Sequence, residues 1–476
     1  MERIRRNQLR LAELLAALSL VTDLGMGQPA EEAMRACLLA TDLARKMNLA
    51  EAEVASIYYT TLLKYLGCTA YAHEEAILFG GDDIPLRSSG TKVDFADPRE
   101  ALPFILLQPG RHAPLPRRIL IVAYGLAQGS QFDRHMTASH CEIAAMLAQR
   151  LRAVIFARSG GPDLAAAMLR KWAGKVFDPA LVDAFLCYEP LLLRDATVDA
   201  WQAVVEAEPQ PHLWISEAQL DEVAHAFADM VDLKIPFLRG HASGVAKLAE
   251  AATRTCGFSA PGVTAVRRAA FLHDLGRVGV ANGTWEKAGP LTKSEWEQVR
   301  LHPYHSERIL SSSPLLAPLA PLAGMHHERL DGSGYHRQAT AATVPMAARI
   351  LAAADSYQAM THERPYRKAF STDGVAEELL REVKRGRLDG EAVQAVLSAA
   401  GQAQTSRRRS WPAGLSDREV EVLLLLSRGA STKQVAKELA ISPKTAGHHV
   451  QHIYHKIGVS TRAGAAMFAM QHDLVR

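Results

Sequence analysis

Between His241 and Asp355 the sequence sets histidine or aspartate at six separate points, each at the edge of an apolar helical stretch. In order these are His241, the pair His273–Asp274 inside HDLGRVGV, His302 in HPYHSERIL, the adjacent His326–His327, the run DGSGYH, and Asp355 in ARILAAADSYQAM. A single histidine in a helix is usually an ordinary core or surface residue; six such points are harder to explain that way. Val266, Ala269, Ala270 and Leu272 recur at helical spacing and would carry His273 and Asp274 inward, where an unpartnered imidazole or carboxylate is costly. A pair of divalent cations supplies the partner, since neutral imidazole suits Fe, Mn, Zn or Ni and a carboxylate can bridge two ions. Neighbouring helical residues project about 100° apart, so His326 and His327 can serve two positions of one cluster. Two ions ~3.5–4 Å apart hold a bridging hydroxide and polarise a phosphoryl oxygen, as phosphodiester hydrolysis requires.

Taken together, HDLGRVGV, HHERLDGSGYH, ARILAAADSYQAM and RPYR resemble the HD-GYP subgroup of HD-domain phosphohydrolases, over roughly residues 235 to 400. The resemblance implies a helical domain, bound iron or manganese ions, and hydrolysis of cyclic di-GMP or a related cyclic dinucleotide. Residue by residue it makes His241, His273, Asp274, His302, His326, His327 and Asp355 the metal ligands, with Asp274 the bridging carboxylate. Arg277 stands where the family usually has a lysine that contacts substrate phosphate; arginine keeps the charge and adds a rigid fork. Tyr335, Arg364 and Arg367 match positions that hold the dinucleotide. Asp274 and Arg277 are the catalytic candidates. The sequence departs from the family at three places. Phe237 lies four residues before His241, where members with three ions place a glutamate ligand, and this favours two ions. Gly334-Tyr335-His336 lacks the proline tied in the family to partner-domain contacts. Asp355-Ser356-Tyr357 differs from the commoner aspartate-rich run.

A second set of signals begins at Leu415. Ser416 with Glu419 three residues on forms a capping box ahead of Val420, Leu423 and Leu424, and Gly429 ends that helix. STKQVAKELA predicts a short helix with Val435, Ala436 and Leu439 inward. Ser442-Pro443 starts a third, serine as cap and proline at the first helical position. Ala446, Val450, Ile453 and Ile457 face inward there, while Lys444, Thr445, His448, His449, His452 and Lys456 face out, and Gly458 closes it. Two short helices joined by a tight turn, the second with a polar outer face, describe a helix-turn-helix whose second helix can enter the major groove. Residues 415 to 474 resemble the LuxR-type family through LSDREVEVL, the STKQVAKELAISPKT run and IYHKIGV. That resemblance makes Lys444, Thr445, His448 and Lys456 the DNA contacts, Ala463 to Met470 the dimerisation face, and pseudo-palindromic double-stranded DNA the target. Ala446-Gly447 is smaller than the family's usual pair, and an internal helical glycine costs about 1 kcal/mol relative to alanine.

The elements that position these residues are helical. In 476 residues, hydrophobic side chains make up 48%, charged ones 22% and aromatics only 6%, with Ala and Leu in helix-like runs; this excludes a mainly disordered chain and argues for an all-α fold. At roughly 150 residues per domain, about three domains are expected. The reading is a degenerate HD-like domain over 1–215, an HD-GYP-like hydrolase over 216–400, a basic linker (GQAQTSRRRSWPAG) over 401–414, and a helix-turn-helix domain over 415–476. The net charge of +3 is unevenly spread, because residues 401–476 hold eleven Lys/Arg against five Asp/Glu. Five scattered cysteines without a CxxC pair fit reduced thiols rather than a disulfide framework. Arg10 and Glu13 break the apolar stretch near the N-terminus, which reads as an amphipathic helix and not as a signal peptide. No run long enough to span a membrane occurs, and a cytoplasmic protein is expected.

The first half contains an internal repeat. Aligning Glu32 with His241 brings Lys64 opposite His273 and Tyr65 opposite Asp274, and LRKWAGKVFDPALVDAFL from Leu169 resembles LREVKRGRLDGEAVQAVL from Leu380. The first copy therefore lacks the ligands, and a lysine at a ligand position would repel a cation. It is either a sensor or dimerisation domain, or a helical scaffold packed on the second copy. RRILIVAYG reads as a short buried strand and RSGGPD as a turn. The whole reads as a homodimeric DNA-binding regulator with a cyclic dinucleotide phosphodiesterase domain. The alternatives are a nucleotide-sensing transcription factor with little turnover, or a hydrolase of another nucleotide phosphate.

Overall fold

The computed structural model describes residues 9–66, 83–90, 98–109, 179–192, 199–402, 412–439 and 441–472, with scattered positions between 72 and 93 and between 163 and 174, and Leu474. The strand expected at RRILIVAYG lies outside the described residues, as does nearly all of RSGGPD. The chain divides into two compact units, Met1–Ala400 and Gly401–Arg476. The described elements are almost all helices. A two-residue strand β1 (Leu9–Arg10) pairs antiparallel with β2 (Trp214–Ile215), Leu9 opposite Ile215, and so ties the start of the chain to the beginning of the second half.

The larger unit opens with α1 (Leu11–Gly25), α2 (Glu32–Lys46) and α3 (Glu51–Leu62), followed by α4 (Asp83–Gly90), α5 (Pro98–Leu107), α6 (Pro179–Leu192) and α7 (Ala200–Ala207). The second half begins with α8 (Glu217–Lys234), α9 (His241–Thr255) and α10 (Ala260–Leu272). The 209-residue interval from Glu32 to His241 recurs in the backbone. It carries α2 onto α9 at both ends, the first residue of α3 onto that of α10, and the last residue of α1 onto that of α8. It also pairs the left-handed caps Glu31 (φ 70°) with Gly240 (φ 73°), and Asn48 (φ 56°) with Gly257 (φ 75°). Asp23 accepts from the Ala33 amide as Asp232 accepts from the Ala242 amide. Each carboxylate thus caps, from a neighbouring helix, a helix whose own cap residue makes no side-chain cap hydrogen bond.

Where the second copy gathers histidines, the first holds Lys64. Burial lowers its ammonium to about 8 against the pull of Glu32 and Asp23, and Nζ lies 4.3 Å over the Tyr65 ring. One apolar core runs through both copies, from Leu14 and Val21 of α1 to Val231 of α8, Val245 and Ala249 of α9, and Val266 and Ala270 of α10. The second half continues with α11 (Asn282–Trp285), α12 (Lys293–Ser311), α13 (Ala320–Gly324), α14 (Met346–Thr361), α15 (Thr372–Lys384) and α16 (Gly390–Ala399). Leu310, Ile350, Leu351, Leu379, Val393 and Val396 extend the same core. Each fully buried aliphatic side chain contributes about 1.5–3 kcal/mol.

The smaller unit holds α17 (Asp417–Ser427), α18 (Thr432–Glu438), α19 (Pro443–Ile457) and α20 (Arg462–Gln471) around Val422, Leu423, Leu426, Val435, Ala446, Ile453 and Ala469. The expected punctuation is present. Ser416, Ser431 and Ser442 accept from Glu419, Gln434 and Thr445 amides, and Gly458 ends α19 at φ 68°. Among the described residues no helix is long and apolar enough to cross a membrane.

Candidate metal centre and nucleic-acid interface

All seven ligand candidates converge. His241 opens α9, His273 caps α10, and Asp274 follows it into the turn Leu275–Gly279. His302 comes from α12, His326–His327 follow α13, and Asp355 comes from α14. One Asp274 oxygen, Oδ2, lies 2.9 Å from His273 Nε2 and 3.5 Å from His241 Nε2. Its other oxygen, Oδ1, lies 3.3 Å from His302 Nε2 and 3.4 Å from His326 Nε2. Asp355 faces the same space, with Oδ1 3.1 Å from His241 Nε2 and Oδ2 3.5 Å from His327 Nδ1. His241, His273, Asp274 and Asp355 form one group of converging ligand atoms, and His302, His326 and His327 another.

The imidazoles are aimed by orphan carbonyls. Nδ1 of His273 donates to Ala270 O and Nδ1 of His326 to Ala323 O, both at 2.6 Å and both in last helical turns whose carbonyls lack amide partners. His302 lies mid-helix, where carbonyls are normally taken. The next residue, Pro303, has no N–H, so the carbonyl four residues back, Val299 O, is left over and accepts His302 Nδ1 at 2.6 Å. A carbonyl can only accept, so all three Nδ1 atoms carry a proton and all three Nε2 atoms face inward, each a lone-pair donor to a cation once its ring is neutral.

The residues fit metal. His302 Nε2 and His326 Nε2 stand 3.1 Å apart, lone pair against lone pair, an arrangement that calls for a cation between them. Among the described residues the Asp274 oxygens and His273 Nε2 are in ion-pair contact but make no hydrogen bond of good geometry. Burial pushes His241 and His302 down to about 4, leaving both neutral. Burial opposes protonation of His273 too, but the Asp274 and Asp355 charges outweigh it and raise that imidazole to about 10. Burial would raise both carboxyls; Arg277 and His273 for Asp274, and His327 and His241 for Asp355, hold them well below the usual range. The carboxylate pair demands positive charge at its centre.

Pro303→Ala should return the missing amide to Val299 O and release the His302 ring. We expect metal affinity to fall about ten- to a hundredfold, the usual effect of losing an orienting partner, with α12 itself no less helical by circular dichroism. Titration of the apo-protein with manganese measures it.

Around the centre, Arg277 Nη1 lies 2.7 Å from Asp274 Oδ2, with its guanidinium over the Trp285 ring. Gly276 touches α12 so closely that a Cβ there would meet His302 O at 2.0 Å. The loop after His327 folds around buried Glu328, which accepts from the Arg337 and Ala339 amides. It places Tyr335 against His327, ring centroids 4.4 Å apart. Arg364 lies 5.1 Å over the Phe237 ring, so the residue that replaces the expected glutamate seats a cation instead. Burial lowers Arg364 to about 10. Arg367 points elsewhere, donating to Ala359, Met360, His362 and Lys368 carbonyls and closing the RPYR turn. Trp285, Trp296 and the Phe237 seat escape sequence reasoning, because no motif spacing links them to the ligands.

In the smaller unit Lys444, Thr445 and His448 are exposed on the outer face of α19. Lys456 is exposed too, but its Nζ donates to Glu419 Oε2 at 2.7 Å and Gly414 O at 3.2 Å, pinning α19 to the start of α17.

The larger unit contains an HD domain and the smaller holds a LuxR-type helix-turn-helix. Residues 225–392 match the HD domain family, and residues 413–469 the bacterial regulatory proteins of the luxR family. The chain is similar to 3′3′-cGAMP-specific phosphodiesterase 3 of Vibrio cholerae serotype O1, at 29% identity over 78% of this chain and 90% of the relative. It is also similar to a cyclic di-GMP phosphodiesterase of Thermotoga maritima, 40% identical over 27% of this chain and 35% of that relative. The crystal structure of a cyclic GMP-AMP-specific phosphodiesterase of V. cholerae, V-cGAP3, shares the fold at TM-score 0.52 and 23% identity. It covers 83% of this chain and 98% of its own, a span that takes in much of the first half.

Proposed function

We propose that this chain is a DNA-binding regulator whose HD unit holds two divalent ions, iron or manganese, and hydrolyses a purine cyclic dinucleotide. Asp274 carries the reading, because its two oxygens face two separate sets of imidazoles, the arrangement of a carboxylate shared between ions. When bound, the ions supply Lewis acidity and an activated water. The chain's own residues orient the substrate: Arg277 and Arg364 present positive charge to phosphate, and Tyr335 offers a ring face at the mouth. Anaerobic purification, metal analysis and incubation with cyclic di-GMP, 3′3′-cGAMP and simple nucleotide monophosphates test this. A linear dinucleotide or mononucleotide product from one cyclic dinucleotide is expected; bound metal with no product from any of them removes the hydrolase reading. A sensor without turnover is the second reading, favoured by the Arg277–Asp274 contact, which sets a cation on the shared carboxylate.

The helix-turn-helix unit would act as a homodimer in the cytoplasm, where the chromosome is. Met467 and Met470, each about 60% exposed on α20, form the apolar face for pairing. Lys444, Thr445 and His448 would meet the DNA. Lys444→Ala should weaken binding about equally on all sequences and reduce the slope of log affinity against log salt by about one. Lys456→Ala should differ, lowering the thermal stability of the smaller unit as well, because Glu419 loses its ion-pair partner and keeps only the Ser416 capping bonds. Fluorescence anisotropy on duplex DNA across a salt series, with melting curves, separates the two.

A further inference from the structure

Trp296 is 47% exposed on α12, although an indole is among the largest apolar surfaces a chain can offer. Its ring centroid lies 6.1 Å from that of Tyr335, the planes at 73°, and Tyr335 in turn lies against His327. An aromatic path therefore leads outward from the metal ligands and ends on a half-exposed indole. Arg300, one turn along α12 from Trp296, donates to Gly334 O at 3.4 Å and holds the Tyr335 loop beside it. The path is polar at its inner end and apolar at its outer end. That is the profile of a nucleotide, phosphate inward and base outward.

We propose that Trp296, with Tyr335 at its edge, is a base-stacking subsite for one purine of the substrate. The proposal rests on the cyclic dinucleotide reading above and adds the place where a base is held. Stacking on an indole is tolerant of base identity because every base has a π face, so this subsite sets affinity for purine dinucleotides without choosing between guanine and adenine.

Calorimetric titration of the manganese-loaded full chain with GMP and with ribose 5-phosphate tests it without requiring turnover. GMP should bind more tightly than ribose 5-phosphate. Trp296→Ala should weaken GMP roughly five- to a hundredfold and leave ribose 5-phosphate unchanged, and Trp296→Phe should keep most of the GMP affinity. Equal binding of the two ligands by the unaltered protein, or GMP binding indifferent to Trp296→Ala, overturns the subsite. So does a weakening that comes with a changed oligomeric state, which would make the indole a subunit contact. The hydrolase reading fails by a different sign: intact GMP binding with no product from any cyclic dinucleotide.

Discussion

Asp274→Asn should strip the protein of metal and of phosphodiester hydrolysis together. The amide keeps the shape of the carboxylate but not its charge, and its nitrogen points a donor at whichever imidazole set it faces. Neither cation site then retains the shared oxygen anion, and we expect turnover of cyclic dinucleotide to drop at least about a thousandfold, on the order of 4 kcal/mol in barrier. The variant should also melt earlier. Arg277, only 5% exposed, rests on Asp274 at 2.7 Å, and a buried charge stripped of its partner costs on the order of 3–5 kcal/mol. Removing that charge as well separates the two effects. Asp274→Asn with Arg277→Met should regain melting temperature yet remain without metal and without activity. If the single variant still purifies with a full complement of metal, Asp274 is no bridge.

Much of this centre was legible in the sequence, and the reason is physical. A helix fixes the direction of a side chain from spacing alone, so apolar residues at 266, 269, 270 and 272 declare that His273 and Asp274 point inward before any partner is known. The repeat was legible for the same reason, and the backbone keeps it to the residue at Gly240 and Glu31. Pro303 was visible but silent, since its effect passes through a carbonyl four residues back. What could not be read was anything set by packing across long separations. Phe237 stands where the family pattern expects a glutamate; only the fold shows Arg364 resting on it. Arg367 matches a position that holds the dinucleotide in the family, and its guanidinium donates to four backbone carbonyls. Lys456 has the pattern of an outward cation, yet it closes on Glu419, 37 residues away.

The largest stability effect should come from a residue no motif announces. Lys234 is wholly buried at the end of α8, and its Nζ donates to Val278 O at 2.6 Å and Val280 O at 3.0 Å, the end of HDLGRVGV. Asp83, from α4 in the first half, lies 3.4 Å from the same ammonium and accepts from the Asn282 amide at 2.8 Å. Beside this latch, Leu24 of α1 packs on Gly279 so tightly that a Cβ there would come within 2.7 Å. The first copy therefore bears directly on the turn that presents Asp274 and Arg277. Lys234→Met leaves the Asp83 carboxylate buried with Arg87 4.0 Å away and two carbonyls short of a donor, a loss of on the order of 3–5 kcal/mol. Melting should move down by several degrees, and metal affinity should fall with it as the turn loosens. Lys234→Met with Asp83→Leu should restore much of the stability, because an apolar pair of similar volume often replaces a buried ion pair at no net cost. Should metal affinity return with stability in the double variant, the first copy acts on the centre as a scaffold. Affinity that stays low in a fully stable double variant would mean the charges themselves hold the turn in its binding geometry.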